Sequence, residues 1–190
     1  MTTAKMDVTI VTYNAKYRGD MLFCYLAAKD AMCAYAPDQW AKPDIKEDLL
    51  YIERDYLERG GAFYLAVDGR DRVVGMVGVL AAAEAMAVAA ASEPVAVAAA
   101  TASAYASAAD AAPTDMWLKR LFIKPEHKGK GIGGRLLAEA ERFAVAGGAK
   151  TLHTRFAHWY REAAVFYPAK GFVDAAPLDS YTRHMVKELP

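Results

Sequence analysis

The order of apolar runs and breaks predicts an α/β (α+β) fold, one domain spanning residues 1–190 in which a sheet is flanked by helices. Three observations carry this reading. Runs rich in β-branched residues, such as Val8–Thr12 and Val73–Leu80, alternate with stretches of helical periodicity. Asp68-Gly69-Arg70-Asp71 separates two of the strand-like runs and is a hairpin signal. The glycine-rich run Lys128-Gly129-Lys130-Gly131-Ile132-Gly133-Gly134 lies between the apolar strand Leu118 to Ile123, closed by Pro125, and an amphipathic helix.

In chain order, Val8–Thr12 is the first strand. Asn14 or Asp20 caps a helix reaching about Tyr35, and Pro37 and Pro43 interrupt the chain. A second helix, Ile45 to Leu57, is read from the spacing of Leu49, Leu50, Ile52 and Leu57, and Gly60-Gly61 ends it. Ala62–Val67 and Val73–Leu80 form the hairpin strands. The helix after the glycine turn, Gly133 to Ala146, places Leu136, Leu137, Ala140 and Phe143 on one face. A strand at Lys150–Phe156, a short helix near Tyr160–Tyr167 and two closing strands complete the order. Pro168 disfavours helical geometry at Tyr167, so the short helix is expected to end there.

Residues 81–113 stand apart as an Ala-rich insertion between the third and fourth strands; 19 of the 32 residues from Ala81 to Ala112 are Ala. Alanine favours helix but offers little apolar surface to hold one against a core, and Glu93-Pro94 interrupts it. A solvent-facing excursion is the plain expectation, and a lid or dimer contact the functional one.

A glycine turn opening a helix leaves backbone N–H groups pointing outward at the positive end of the helix dipole, where phosphate or pyrophosphate binds. Lys128 and Lys130 add charge. A dinucleotide fingerprint would need its glycines after the first strand and an acid about 20 residues on. The glycines here come late, and no such acid follows. A P-loop would need Ser or Thr after Gly-Lys, and Lys130 is followed by Gly131 and Ile132.

Leu118 to Leu137, with Lys128-Gly-Lys-Gly131-Ile-Gly133 at its centre, resembles the acyl-CoA-binding motif of the GNAT superfamily of N-acetyltransferases. Lys128 stands where the family usually has Arg or Gln. A second block, Glu162 to Phe172, resembles the family's Ala-x-x-x-Tyr-x-x-x-Gly-Phe segment, and Tyr181 to Leu189 resembles its last strand. The resemblance implies a central mixed, mostly antiparallel twisted sheet of about six to seven strands flanked by about four helices. It implies acetyl-CoA as acyl donor and a small-molecule or peptide amine as acceptor. The cofactor-binding residues implied are the backbone of Leu121, Phe122 and Ile123 for pantetheine and the turn Lys128, Gly129, Lys130, Gly131, Ile132, Gly133 and Gly134 for pyrophosphate. Tyr160 occupies the place where relatives often hold the cofactor with Asn. Tyr167 matches the family's catalytic Tyr and is the implied general acid for the departing thiolate.

The general base stays open. Trp117 stands where several relatives carry Glu on the fourth strand, Asp115 reads as a turn residue, and His153 and His158 are candidates for relaying a proton. The acceptor side offers Tyr25, Tyr35, Trp40, Tyr51, Glu47, Asp48, Glu53 and Asp55; most of these acids read as the solvated face of the second helix. A non-catalytic acyl-CoA-binding or sensing domain is the competing reading.

Composition agrees with a cytoplasmic enzyme. The formal net charge of +0 gives no argument for nucleic acid or an anionic membrane. No apolar run reaches membrane-span length. Cys24 and Cys33, in one helical stretch, read as reduced buried thiols. No His/Cys/Asp spacing points to a metal. A homodimer is compatible with the sequence.

Overall fold

A computed structural model describes residues 7–33, 45–82 and 115–190. A seven-stranded sheet in the order β1-β2-β3-β4-β5-β7-β6 forms its centre. The strands are β1 (Val8–Thr12), β2 (Ala62–Asp68), β3 (Val73–Ala81), β4 (Asp115–Ile123), β5 (Thr151–Ala157), β6 (Val173–Asp174) and β7 (Thr182–Glu188). Every neighbouring pair is antiparallel except β4 with β5. The sheet is therefore mixed and mostly antiparallel, with α1 (Arg18–Cys33), α2 (Glu47–Leu50), α3 (Ile132–Ala146) and α4 (Arg161–Phe166) beside it. Tyr35, Pro37, Trp40, Pro43, the Cys33 side chain and the Ala-rich segment from 83 to 114 fall outside the described residues.

The β2–β3 hairpin closes where expected. The Asp68 carboxylate accepts from the backbone N–H groups of Arg70 and Arg72, each at 3.0 Å, and Asp71 takes φ 58°. Asn14 caps a single turn, Ala15–Tyr17, that leads into α1.

Alternation along the strands divides the core between the two sheet faces. On one face α3 presents Ile132, Leu136, Leu137, Ala140 and Ala144, which join Val77, Val79, Leu118 and Leu152. Each of the two leucines contributes roughly 1.5–3 kcal/mol by leaving water. On the other face Met21, Cys24 and Tyr25 of α1 meet Leu49, Ile52, Tyr56, Phe63, Leu80 and Trp117. Gly78 is required there, because the Tyr56 ring lies where a Cβ would sit.

The second predicted helix is corrected. α2 stops at Leu50, Tyr51 leaves helical geometry at φ −128° and ψ 54°, and Glu53–Leu57 continue as a wider turn. Glu58 N–H there reaches the Glu53 carbonyl five residues back. Leu49, Ile52 and Tyr56 are buried, and Leu57 is 40% exposed. Leu50 is also exposed, while Asp48 and Asp55, expected on a solvated face, are buried.

β4 carries the second irregularity. Its register against β3 slips between Met76↔Phe122 and Gly78↔Lys119, leaving one extra residue on β4. Arg120 lies in this bulge with φ 57°. The bulge places Lys119 and Arg120 towards the Tyr56 face, and Leu121 and Ile123 towards α3.

Candidate active site

The glycine turn folds as its sequence demands. Gly131, at φ 78° and ψ 0°, precedes the first residue of α3, and no side chain caps the helix. The first N–H groups of α3 thus have no acceptor within the helix. A Cβ on Gly129 or Gly131 would meet nothing within 4 Å, so the cradle above the turn is open. These N–H groups face a cavity of about 470 Å³.

Ten of the residues expected to hold the cofactor or act on it line this cavity: Leu121, Ile123, Lys128, Gly129, Gly131, Ile132, Gly133, Gly134, Tyr160 and Tyr167. The Phe122 side chain points to the opposite face, where its ring meets Tyr25 edge-on at 5.2 Å between centroids. Lys130 is turned back, its Nζ donating to the Glu126 carbonyl at 2.6 Å. Sequence reasoning missed His127, Glu162, Phe166 and Lys170, which also line the cavity. All four lie within the two motif blocks, His127 in the first and Glu162, Phe166 and Lys170 in the second, and that placement was their only signal. The Glu162 carboxylate accepts from Lys128 Nζ at 2.5 Å and from the Tyr160 hydroxyl at 3.3 Å. His127 is buried with no hydrogen-bond partner for Nδ1 among the described residues. An open cradle of backbone donors beside lysines and an unsatisfied buried nitrogen suits a polyanion with polar arms.

Tyr167 is held by packing. Its ring stacks on Phe156 at 5.5 Å and meets Phe166 and Phe172 edge-on, each at 5.2 Å. Burial pushes the phenol up to about 12, against a hydrogen bond with Thr154 that lowers it. α4 ends at Phe166, yet Tyr167 keeps helical angles, φ −66° and ψ −45°. The expected effect of Pro168 on Tyr167 is not seen, because Pro168 opens a further single turn, Pro168–Lys170, instead of breaking the path.

Beside Leu121 and Ile123 the sheet opens. β4 and β5 pair only from Asp115↔Thr151 to Trp117↔His153. β4 continues along β3 to Ile123, and β5 continues along β7 to Ala157. The β5-facing edge of β4 beyond Trp117 is therefore a strand edge that can accept an extended ligand.

The face away from the cavity carries a second set of charged groups. Arg120 holds Asp48 through Nε at 2.9 Å and Nη2 at 2.8 Å, and the Tyr56 hydroxyl donates to the same carboxylate at 2.7 Å. Although burial opposes ionisation, the Arg120 charge keeps Asp48 low, at about 2. Trp117 is a core residue stacked on His153 and His184, with centroids at 5.1 and 5.2 Å. Asp115 starts β4 instead of forming a turn and lies 3.4 Å from His153 Nε2. His158 is exposed, and its N–H bonds the Tyr181 carbonyl. Among the described residues no group of three or more His, Cys, Asp or Glu is placed to hold a metal, and no helix is long and apolar enough to cross a membrane.

The fold and motifs have counterparts. Over 97% of this chain and all of the other, a GNAT-family acetyltransferase from Staphylococcus aureus Mu50 superimposes with a TM-score of 0.70 at 19% identity. The PaiA N-acetyltransferase of Thermoplasma acidophilum, solved with coenzyme A, gives 0.61 at 17% identity over 96% of this chain and 99% of its own. A phosphinothricin acetyltransferase of Sinorhizobium meliloti, solved with acetyl-CoA, gives 0.65 at 15% identity over 96% and 88%. In sequence, the uncharacterized N-acetyltransferase YhfO of Bacillus subtilis is 40% identical over 55 residues, 29% of this chain and 37% of that protein. The profile of the acetyltransferase (GNAT) domain matches residues 59–174, which include the glycine turn, the opened strand pair and Tyr167. The chain belongs to the GNAT acetyltransferase family.

Proposed function

We propose that the chain is a single acetyltransferase domain that moves the acetyl group of acetyl-CoA to a primary amine by direct attack of the amine on the thioester. The observation that carries this reading is the open cradle at Gly129 and Gly131 leading along the cavity to Tyr167 and the unpaired edge of β4. Acetyl-CoA supplies the activated acetyl group. The N–H groups of Ile132, Gly133 and Gly134, with Lys128, bind the pyrophosphate. The backbone of Leu121, Phe122 and Ile123 pairs with the pantetheine amides, and a β4 N–H polarises the thioester carbonyl. Tyr160 contacts the cofactor arm.

As the amine nitrogen bonds to the carbonyl carbon, the C–S bond breaks and Tyr167 serves the leaving sulfur. A phenol held near 12 is fully protonated at neutral pH, whereas a thiol ionises near ~8.5. Complete transfer from Tyr167 is therefore uphill, and its main contribution is a hydrogen bond that strengthens as charge develops on sulfur. The amine proton leaves to water on the opposite face. The fold of CoA-bound relatives supports the choice of donor.

Calorimetric titration of acetyl-CoA into the protein and into Gly131→Asp tests the proposal. Binding by the parent that the variant loses is expected, since Asp opposes both the left-handed backbone at φ 78° and the phosphate charge. Absence of binding to the parent would overturn it. Turnover with any amine separates an enzyme from a sensing domain.

A further inference from the structure

On the face opposite the cavity, the acids nearest Lys119 among the described residues are already engaged by arginines. Asp48 is held by Arg120 at 2.8 Å. Asp55 is held by Arg54 at 2.7 Å. Asp179 lies 3.9 Å from Arg155 and also accepts from Tyr181 N–H and Thr182 N–H. Arg54 also bonds Glu47 at 3.2 Å, so each of these carboxylates already sits against an arginine. Lys119, half-buried beside Arg120 and within the field of Arg155, makes no ion pair or hydrogen bond among the described residues. Burial, with Arg120 and Arg155, depresses its ammonium to about 8, and the nearby Asp48 and Asp55 do not offset this.

Its position gives the unengaged ammonium a use. Lys119 pairs in register with Gly78, whose Cβ direction is filled by Tyr56, so it projects away from the cavity. It lies two residues beyond Trp117, where the β4–β5 ladder ends, and Arg155 lies two residues beyond His153 on β5. At a rise of ~3.3 Å per residue both are within about 7 Å, along their strands, of the point where the strands part. The two residues flank the gap from the side by which an acceptor would reach a thioester threaded between β4 and β5.

We propose that Lys119, in the positive field of Arg155, binds an oxyanion of the acceptor, so that the substrate class is an amine bearing a nearby carboxylate, phosphonate or sulfonate, an amino acid being the simplest form. This rests on the acetyl-CoA reading above. A half-buried ammonium with no carboxylate in direct contact is costly, and an anion arriving with the substrate supplies that contact. Asp48 and Asp55 cannot, because each is already engaged.

The test is a rate assay for CoA release with acetyl-CoA and matched amines: the α-amino acids, aminomethylphosphonate and taurine, against the amino-acid carboxamides and simple alkylamines. Acetyl-CoA binding to each protein is measured by calorimetry. At least one anionic amine should exceed its neutral counterpart 100-fold in kcat/KM, and comparison across the panel identifies the oxyanion. Lys119→Met should raise KM for that amine at least tenfold with its acetyl-CoA affinity unchanged, and Lys119→Arg should restore most of the loss. Neutral amines used equally well, a Lys119→Met variant with unaltered KM or lost acetyl-CoA binding, or an acetyl-CoA-binding protein that turns over no anionic amine would each overturn the assignment. A parent protein that does not bind acetyl-CoA would instead overturn the underlying cofactor reading.

Discussion

His153 Nδ1 lies 3.0 Å from His184 Nε2, and the partners of the two rings fix where the shared proton sits. His184 Nδ1 is 3.0 Å from the Ala176 carbonyl, which can only accept. His184 therefore carries its proton on Nδ1, its Nε2 accepts, and His153 donates from Nδ1. The lone pair of neutral His153 is left on Nε2, facing Asp115 at 3.4 Å.

Protonation of this pair is opposed. Burial lowers both imidazoles below the ordinary 6.5; Asp115 favours His153⁺, whereas His184 disfavours it, and Arg155 disfavours charge on His184. A base with a depressed folded pKa binds fewer protons folded than unfolded. Its contribution is complete above the unfolded value and is lost as pH falls through the folded one. The melting temperature should thus decline as pH drops below about 6.5, and His153→Gln should flatten that decline. An unchanged slope in the variant, read by thermal melts across pH 5–8, would refute the assignment.

Glu162 places a carboxylate in the proposed phosphate site and occupies Lys128. Glu162→Gln should free Lys128, remove a repulsion and tighten acetyl-CoA binding about three- to tenfold at low salt. The gain should shrink in 0.5 M salt, because the pair is partly exposed and screened. Calorimetry at two ionic strengths reads both effects.

Tyr167→Phe keeps the stacked ring and loses the hydroxyl. We expect kcat to fall roughly 10- to 100-fold with little change in acetyl-CoA affinity. The Tm should stay within a few degrees of the parent's, because the stacked ring remains. Steady-state kinetics with an identified acceptor separates the two effects, and an unchanged kcat would remove Tyr167 from the chemistry.

Asp48→Ala should cost about 3–5 kcal/mol in chemical denaturation, because it strands the buried Arg120 guanidinium and the Tyr56 hydroxyl. Asp48 has a folded pKa near 2, below the unfolded ~3.9. Its stabilising contribution is present above pH ~4 and fades as the solution is acidified towards 2. The variant should show less acid sensitivity in that window.

The glycine turn and Tyr167 were legible because their spacing is local: strand, turn, helix and second motif follow one another in the chain. The hairpin at Asp68–Asp71 was legible for the same reason. Asp48 was not, since a carboxylate on a short helix reads as solvated until its partner is known, and Arg120 lies 72 residues away. Leu50 and Leu57 misled, because they stand beside the buried face that Leu49, Ile52 and Tyr56 form, and an apolar residue there reads as core. The orientation of Arg120 depends on the extra residue in β4, which no spacing rule marks.

The parted strands make the sheet a hinged seam. Between β1–β4 on one side and β5–β7 on the other, only three residue pairs carry backbone bonding, with the ring stack of Trp117, His153 and His184 as a rivet across them. An extended ligand laid in the seam would act as mortar between the two plates. The amide protons of Leu118–Ile123 that point away from β3 should then exchange slowly with ligand and readily without it, whereas those of the β2–β3 hairpin should be indifferent.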